Sequence, residues 1–301
     1  MAVLQTYQVN TNAEDLSAII TNITPKKTPL LTALQSTKAH NRIHEVQKDT
    51  LDVPVANTNA WLEGQDFVSE DQGMPDRVPT YPQIFRRHPH VSGTQIAIKT
   101  AGIKDAYAYQ VTKKLKEIAM EIEFAAIQGV GGIGDVNTAR YMTGALTWIS
   151  SNALAGADPE GDPLTEDMFN DLMQAAWEKG GDPDHIYCNG ALKRQISSFT
   201  AGTTKNVAAG DKKLTAVVDI YEGDFGIQRV VAHRYVPAKV FMALEHDLWA
   251  FAWLRKTQHE PLPKTGDAVK GMILAEVALE CREEKGNAKY TNVKRAPVAA
   301  G

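Results

Sequence analysis

The chain has 301 residues and a formal net charge of −4, with 32 Lys and Arg residues against 36 Asp and Glu residues. Its 43% hydrophobic and 23% charged residues are typical of a folded globular protein and exclude a disordered or collagen-like chain. The nearly balanced charge does not indicate a nucleic-acid-binding protein. With only Cys188 and Cys281, the chain has neither a disulfide scaffold nor a four-cysteine zinc site.

The first 39 residues predict an arm and not a domain. They are polar and rich in Asn and Thr, and Pro25 and Pro29 interrupt any long helix before a short apolar turn. This segment does not resemble a secretory signal, and no segment of the chain reaches the roughly 18 apolar residues that cross a bilayer. We therefore expect a protein without a membrane partner that stays in the cytoplasm in which it is made.

Residues 40–98 predict a long β-hairpin with an irregular tip. The short β-like pieces RIHEVQ and QIAIK lie on either side of a polar middle that is rich in Gly and Pro. At about 3.3 Å per residue, each leg would extend for several tens of Å, beyond the radius of gyration of roughly 19 Å that a compact chain of this length has. Such a hairpin exposes strand edges and apolar side chains, so we expect a neighbouring chain to cover it.

The charges of this hairpin are segregated along the sequence. Residues 63–76 carry five acidic and no basic residues, whereas residues 77–104 carry five basic and no acidic residues. Two explanations stay open: two solvated faces, or complementary patches that meet across a subunit boundary and set its register. The second explanation, together with the exposed apolar groups, predicts the subunit-contact residues, which are Trp61, Phe67, Arg77, Phe85, Arg86 and Arg87.

Residues 104–128 predict a long amphipathic helix. The apolar residues of one face are spaced by 4, 3, 4 and 3 positions, and they are Val111, Leu115, Ile118, Ile122 and Ala125. At 1.5 Å per residue this helix would span roughly 37 Å. An apolar stripe of that length needs a broad partner, so we expect a sheet to be laid on the helix.

Beyond this helix, the sequence predicts a compact α/β module over residues 130–261 and then a long strand. The segment TEDMFNDLMQAAWEK predicts a helix with Thr165 as its N-cap, and GALKRQISSF predicts a helix that Asn189 opens. The segments HIYC, LTAVVDIY, IQRVVAHRYV, KVFMALE and LWAFAWLR predict strands. Apolar residues alternate in MILAEVALECREE, which predicts a long strand with one buried face.

Gly129, Gly131 and Gly134 match the spacing G-x-G-x-x-G, but their context does not suit a dinucleotide site. Such a site needs a strand that enters the glycine turn and a helix that leaves it, whereas here a long helix enters and a polar loop leaves. A sharp turn between two modules is the favoured interpretation. A nucleotide-binding enzyme that uses the loop Gly129–Gly134 is the alternative function.

The other residue types that carry chemistry do not form a recognisable active site. The pairs His40 with His44 and His88 with His90 lack a third ligand at a clear spacing, so structural or surface roles are favoured for all 8 histidines. The sequence has no G-x-S-x-G elbow, P-loop or kinase signature. We therefore predict no catalytic residues, no cofactor and no metal, and a protein that is not an enzyme.

The order of the predicted parts is more informative than any single motif: an arm, a hairpin, a long helix, an α/β module and a returning strand. This order, with the segments TPLLTALQ, HEVQKDTL, EGQDF and VSGTQIAIKTAGIKDAYAYQVTKKLKEIAMEIEFAAI, resembles the major capsid proteins of tailed bacteriophages, which have the Hong Kong 97-type shell fold. The resemblance covers essentially the whole chain and implies an α+β fold. It implies an N-terminal arm at 1–39, an extended loop at 40–95, a peripheral domain at 96–129 and 262–301 with a spine helix at 104–128, and an axial domain at 130–261.

The resemblance also implies a function. A protein of this family self-assembles, as hexamers and pentamers, into an icosahedral head shell that encloses double-stranded DNA without sequence-specific binding. Portal, scaffolding and decoration proteins are possible partners, and the virion is the implied location after assembly in the bacterial cytoplasm. The mild negative charge is consistent with this function, because an inner surface that bound DNA phosphates tightly would hinder the packaging and ejection of the DNA.

Overall fold

The computed structural model describes residues 27–49, 51, 54, 56, 60–66, 74–100, 102–199 and 220–296. Within them the α-helices are α1 (Pro29–Ala33), α2 (Gly93–Ala97), α3 (Ala106–Gln128), α4 (Ala145–Trp148), α5 (Glu166–Trp177) and α6 (Gly190–Phe199). The first strands are β1 (Gln35–Lys38), β2 (His44–Lys48), β3 (Asp76–Thr80), β4 (Gln83–Arg87), β5 (His90–Ser92), β6 (Val130–Gly132), β7 (Tyr141–Thr143), β8 (Ala153–Ala155) and β9 (Asp162–Pro163). The later strands are β10 (His185–Cys188), β11 (Ile220–Gly223), β12 (Gly226–Ala232), β13 (Phe241–Leu244), β14 (Trp249–Leu262), β15 (Ala268–Cys281), β16 (Ala288–Thr291) and β17 (Val293–Lys294).

A five-stranded sheet forms one half of the molecule. Its centre is the antiparallel pair of β14 and β15, which are 14 residues long each. β1 runs parallel to β14, β4 lies antiparallel to β15 as an edge strand, and β5 pairs with the start of β15. The helix α3 packs on β15 and β4, so the predicted arrangement of a long helix on a broad sheet is confirmed.

The helix α3 begins and ends for local reasons. It begins after Asp105, whose carboxylate accepts hydrogen bonds from the backbone N–H groups of Tyr107 (2.8 Å) and Ala108 (3.0 Å). It ends before Gly129, where an added Cβ would lie only 2.2 Å from the carbonyl oxygen of Met142. The helix therefore starts two residues later than the spacing predicted, because Asp105 is its cap and not its interior.

The apolar face of α3 is buried along only part of its length. Ile118 and Ile122 are 1% exposed, whereas Leu115, which was predicted to lie on the same buried face, is 38% exposed. The C-terminal half of the helix thus lies against the core of the sheet, and the N-terminal half is more open.

A six-stranded sheet forms the other half of the molecule, with the order β11-β12-β10-β13-β16-β8. The helices α5 and α6 pack against it and build a second hydrophobic core, which includes Phe169, Leu172, Leu192, Ile196 and Phe241. Thr165 caps α5 by accepting a hydrogen bond from the N–H of Met168, as the sequence predicted. Among the described residues, no helix has both the length and the apolarity that a membrane crossing requires.

Three predictions of secondary structure need correction or restriction. QIAIK was predicted to be β-like, but α2 covers most of it, because the Ser92 side chain accepts a hydrogen bond from the N–H of Gln95 and starts a helical turn. The predicted long hairpin over residues 40–98 is shorter, since β2 and β3 pair with each other but β4 and β5 join the large sheet. Most of the predicted strand LTAVVDIY lies outside the described residues, and β11 begins at Ile220.

The prediction that the long returning strand has one buried face is wrong. In β15 the residues of both faces are buried from Ile273 to Cys281, including the carboxylates Glu276 and Glu280. Glu276 bonds to Arg140 at 2.6 Å and to Arg255 at 2.8 Å, so cations compensate its burial. The second face carries charged residues in the sequence because their charges are paired inside the protein and not exposed to solvent.

Candidate functional site

The root of the extended loop is fixed to the large sheet. β2 and β3 pair antiparallel from His44 with Thr80 to Lys48 with Asp76. The hydroxyl of Thr80 donates a hydrogen bond to the carbonyl oxygen of Leu279 on β15 at 3.2 Å. The base of the hairpin is therefore anchored to β15 at Thr80.

A buried carboxylate holds the same root. Glu280 accepts hydrogen bonds from the Thr37 hydroxyl at 2.8 Å and Arg282 Nε at 3.2 Å, and its Oε2 lies 3.0 Å from His44 Nε2. Burial by itself would raise the pKa of Glu280, but the hydrogen bonds from His44, Thr37 and Arg282 outweigh it and lower the pKa to about 2. The ionised form of Glu280 therefore ties β1 and β2 to β15.

Beyond its root, the extended loop displays apolar side chains to solvent. Leu51 is 96% exposed, Leu62 is 79% exposed and Met74 is 91% exposed. Trp61, a predicted subunit-contact residue, is 51% exposed. Phe67, another predicted contact residue, lies outside the described residues. Large apolar groups at such exposure are typical of a surface that another chain covers.

Phe85, another predicted subunit-contact residue, does not share this exposure. It is 5% exposed and belongs to the core between the large sheet and α3. The sequence predicts a free hairpin at Phe85, whereas this residue lies in β4, where side chains alternate between the two faces of the sheet. Phe85 faces the core, and its neighbours Ile84 (47% exposed) and Arg86 point outward.

The predicted contact arginines differ in their surroundings. Arg86 is exposed. Arg87 makes ion pairs with Glu121 and, at 3.8 Å, with Glu117, both on α3. Arg77 pairs with Glu45 across the hairpin and keeps 67% of its side chain exposed. Arg86 is therefore the member of this set that lies exposed beside the large sheet, whereas Arg87 already holds β4 to α3.

A groove of about 680 Å³ lies where β4, α3 and the β6–β7 hairpin meet. Its apolar lining is partly open to solvent, with Phe124 48%, Val130 74% and Tyr141 47% exposed. Arg86, Arg87, Glu117 and Glu121 add charged groups to the same lining. An apolar floor with charged edges resembles the composition of protein–protein contact surfaces.

A second buried carboxylate fixes the start of the described chain to α3. Glu123 is 0% exposed, and its oxygens accept hydrogen bonds from the backbone N–H groups of Leu30 (2.8 Å) and Leu31 (2.7 Å) in the first turn of α1. His233 Nε2 lies 2.6 Å from the same carboxylate, while His233 Nδ1 accepts the N–H of Tyr235 at 3.1 Å. Because Nδ1 is an acceptor, the ring proton is on Nε2 and points at Glu123. Three N–H donors thus compensate one buried charge.

A third polar cluster lies at one end of β10 and β13, the two central strands of the six-stranded sheet. His185 Nδ1 is 2.8 Å from Asp184 Oδ2, and the His185 ring stacks on the His246 ring with centroids 3.6 Å apart and planes at 10°. The Tyr187 hydroxyl lies 2.9 Å from His246 Nε2. Burial, and then the neighbouring His185, lower the pKa of His246 to about 4, so this imidazole is neutral at pH 7.

Sequence reasoning missed the second and third clusters because their members are distant in the chain. The antiparallel register of β10 and β13 pairs His185 with Leu244, which places His246 just beyond it. A charged residue inside the apolar stretch of α3 was the available signal for Glu123, since a carboxylate on a buried helix face requires partners. No spacing rule in the sequence identifies His233 as that partner.

The glycine loop has the geometry of a tight hairpin and not of a nucleotide site. α3 enters it, β6 and β7 pair antiparallel, and Gly131 and Gly134 have φ values of 72° and 65°. Glycine is favoured at both positions because this left-handed conformation strains residues with a Cβ. Since a strand followed by a glycine turn and a long helix is lacking here, the geometry does not support the alternative of a nucleotide-binding enzyme.

Comparison with known proteins gives a family and a fold. The sequence model of the family described as SU10 major capsid protein matches residues 3–294. The major capsid protein of Escherichia phage Phieco32 is 24% identical in an alignment of 330 positions, and the match covers 92% of this chain and 93% of that protein.

Solved structures are similar over nearly the same extent. The capsid asymmetric unit of cyanophage A-1(L) superposes with a TM-score of 0.70 at 13% identity, covering 97% of this chain and 99% of that chain. The capsid of a native GTA particle superposes with a TM-score of 0.67 at 14% identity, covering 96% of this chain and 97% of that chain. At these identities the superpositions establish the shared fold.

Proposed function

The chain belongs to the SU10 major capsid protein family, and from this we propose that its copies join through their extended loops into the icosahedral head shell of a tailed bacteriophage. The predictions of a phage major capsid protein and of a Hong Kong 97-type fold are confirmed. Because the family match covers residues 3–294, the assignment applies to almost the entire chain.

The observation that carries the proposed mode of assembly is the exposure of the loop. Leu51, Leu62 and Met74 are at least 79% exposed, on a hairpin whose root is held rigidly by Glu280 and Thr80. An isolated subunit leaves these groups in water, whereas a neighbouring subunit that covers them gains the hydrophobic contribution of their burial, roughly 25 cal/mol per Å². Assembly is therefore the state in which this loop is stable.

The contact between two copies is head-to-tail in this proposal. The loop of one subunit lies on a different surface of the next subunit, so the contact repeats around a ring and closes into hexamers and pentamers. Trp61, Phe67 and Arg77 are the proposed contact residues on the loop, and Arg86 is the proposed contact residue beside the groove. Many individually modest contacts then add up through multivalency.

We keep the predicted division into arm, extended loop, peripheral domain and axial domain as a proposal, with three changes. Residues 1–39 and 96–129 retain their assignments. β4 and β5 pair with β15, which supports moving residues 83–95 from the extended loop to the peripheral domain. β14 pairs with β15, which supports moving residues 249–261 to the peripheral domain. β16 pairs with β13 and β8, and β17 with β9, which supports moving the last described residues, from about 283 to 296, to the axial domain.

The proposed shell encloses packaged double-stranded DNA without sequence-specific binding. Portal, scaffolding and decoration proteins are its candidate protein partners. The subunits assemble in the bacterial cytoplasm and end in the virion. The role is structural and involves no catalytic turnover.

Replacing Trp61 tests the loop contact. We expect Trp61→Ala to reduce the yield of shells at least severalfold, because the variant removes a large apolar anchor, while the subunit stays folded. Sucrose-gradient sedimentation and negative-stain microscopy measure the shells, with the chain expressed alone and with neighbouring gene products. Trp177→Ala is the matched control, because Trp177 is 63% exposed but lies on α5 outside the loop. Normal shells from Trp61→Ala, or an equal loss in Trp177→Ala, would refute the role of the loop.

A further inference from the structure

We propose that Asp184, His185 and His246 form a binding site for a divalent transition metal, with zinc as the best-suited ion. Each of the three side chains offers one ligand atom, and these atoms lie within 4.8 Å of one another. Two imidazoles and one carboxylate are a donor set that zinc accepts in tetrahedral sites, with water as the fourth ligand. The inference concerns one end of the strands β10 and β13 and does not depend on the proposed mode of assembly.

Asp184 and His185 lie in close contact without forming a hydrogen bond. His185 Nδ1 lies 2.8 Å from Asp184 Oδ2, yet within the described residues this buried nitrogen makes no hydrogen bond. Two ligand atoms bound at about 2.0–2.1 Å in a tetrahedral zinc site are about 3.3 Å apart, so a small separation of these two groups would admit the ion. A cation beside both atoms would satisfy the buried nitrogen that the protein leaves without a partner.

Hydrogen bonds to the ligands orient them. Asp184 Oδ1 accepts the backbone N–H of His246 at 3.1 Å, which leaves Oδ2 turned toward His185. Such outer contacts fix the direction of metal ligands and typically change the affinity for a metal by 10–100-fold when they are removed.

The stacked rings determine how His246 takes part. Their planes differ by only 10° and their centroids are 3.6 Å apart, so one ion cannot lie in the plane of both rings as they stand. In this proposal, binding turns the His246 ring out of the stack, toward the ion held by Asp184 and His185, and replaces its 2.9 Å contact with the Tyr187 hydroxyl.

The surroundings attract a cation. Glu245 accepts the backbone N–H of Asp182 at 3.1 Å and Asp184 accepts that of His246, so these carboxylates and that of Asp247 create a negative potential beside the site. Arg229 is the cation that acts on His246 from β12, so it partly opposes this negative potential. A bound ion would relieve the repulsion among the carboxylates and tie β10 to the turn that leads into β14.

Titration of the full-length chain with Zn²⁺ tests the site. After treatment with a chelator and dialysis, isothermal titration calorimetry is expected to show one Zn²⁺ per chain, and Co²⁺ is expected to give the visible absorption of a tetrahedral site. We expect Asp184→Asn, His185→Gln and His246→Ala each to weaken Zn²⁺ binding by at least about tenfold. Asp184→Asn keeps the acceptor for the His246 N–H, so it isolates the loss of the charged ligand.

Controls separate loss of the metal from loss of the fold. His90→Ala removes an exposed histidine in β5 and is expected to leave the affinity for Zn²⁺ unchanged. Zn²⁺ is expected to raise the unfolding temperature of the wild-type chain and of His90→Ala, but not of His185→Gln, with circular dichroism confirming that all the metal-free variants are folded. Absence of Zn²⁺ binding by the wild type, or unchanged binding by any one of the three ligand variants, overturns the assignment.

Discussion

At the scale of single residues, Glu123 is a buried carboxylate that joins distant parts of the chain. Its oxygens accept hydrogen bonds from the first turn of α1 and from the ring of His233, so it connects three segments that are far apart in the sequence. A buried carboxylate with three N–H donors is favourable only while every donor is present. Glu123 is therefore a position where a small chemical change has a large energetic effect.

Glu123→Gln is expected to lower the free energy of unfolding by about 2–4 kcal/mol, because the amide loses the charge and turns an NH₂ group toward an N–H donor. Urea unfolding of the unassembled subunit, followed by circular dichroism, measures this change. Glu117→Gln on the same helix is the control and is expected to cost less than about 1 kcal/mol, since surface ion pairs contribute little. Equal losses in both variants would contradict the role assigned to Glu123.

The lowered pKa of Glu280 is expected to make the free energy of unfolding depend on pH. Its pKa is lowered to about 2 in the folded chain, so its contribution is fully present above the ordinary carboxyl pKa and is lost as the pH falls from about 5 toward 2. Glu280→Gln is therefore expected to lower the free energy of unfolding at pH 6 and to show a weaker loss than wild type between about pH 5 and 3. Parallel curves of unfolding free energy against pH for the two chains would exclude this contribution.

At the scale of elements, α3 shows how much a helix depends on what covers it. Its spacing alone identifies the helix, but Ile118 lies in the core while Leu115, one turn earlier, is 38% exposed. The difference arises because β15 and β4 pack against only part of the predicted stripe. The same sheet explains the burial of Phe85, because β4 pairs with β15 and this side chain lies on the face that α3 covers.

Ile118→Asp is expected to abolish folding, because it buries an unpaired carboxylate against the sheet, at a cost of more than about 4 kcal/mol. Soluble yield and circular dichroism of the expressed chain measure the outcome. Leu115→Asp is the matched control on the same helix and is expected to give a folded subunit. A folded Ile118→Asp chain would show that the contact between α3 and the sheet is less important than its burial indicates.

At the scale of the whole molecule, the two arginines of β4 are expected to have different roles, Arg86 in assembly and Arg87 in folding. Arg86 is exposed, whereas Arg87 is engaged with Glu121 and Glu117 of its own chain. Both were predicted as subunit contacts from the same run of basic residues. The fold gives them different environments, since alternate residues of a strand lie on opposite faces.

Arg86→Glu is expected to reduce the yield of shells while it leaves the free energy of unfolding of the subunit within about 0.5 kcal/mol of wild type. Arg87→Glu is expected to reduce both, because the new carboxylate faces two glutamates of α3. Sedimentation of the shells and urea unfolding of the subunits measure the two effects. The reverse pattern, with Arg86→Glu the less stable subunit, would contradict the assigned roles.

The sequence by itself determined the elements whose signals are local. The apolar spacing of residues 104–128, the Thr165 cap and the alternation near the C-terminus predicted α3, α5 and β15, because each element's pattern lies within its own few turns or strand residues. The order of these elements, together with the sequence segments that resemble the family, indicated the capsid fold that the comparisons confirm.

Only the tertiary structure decided which faces are covered and which distant residues meet. The burial of Phe85, the two buried faces of β15, the partnership of Glu123 with His233 and the stacking of His185 on His246 all depend on strand register and on packing between segments far apart in the chain. Periodicity predicts which residues of an element share a face. Whether that face is buried, and how much its burial stabilises the fold, depends on the segments that pack against it.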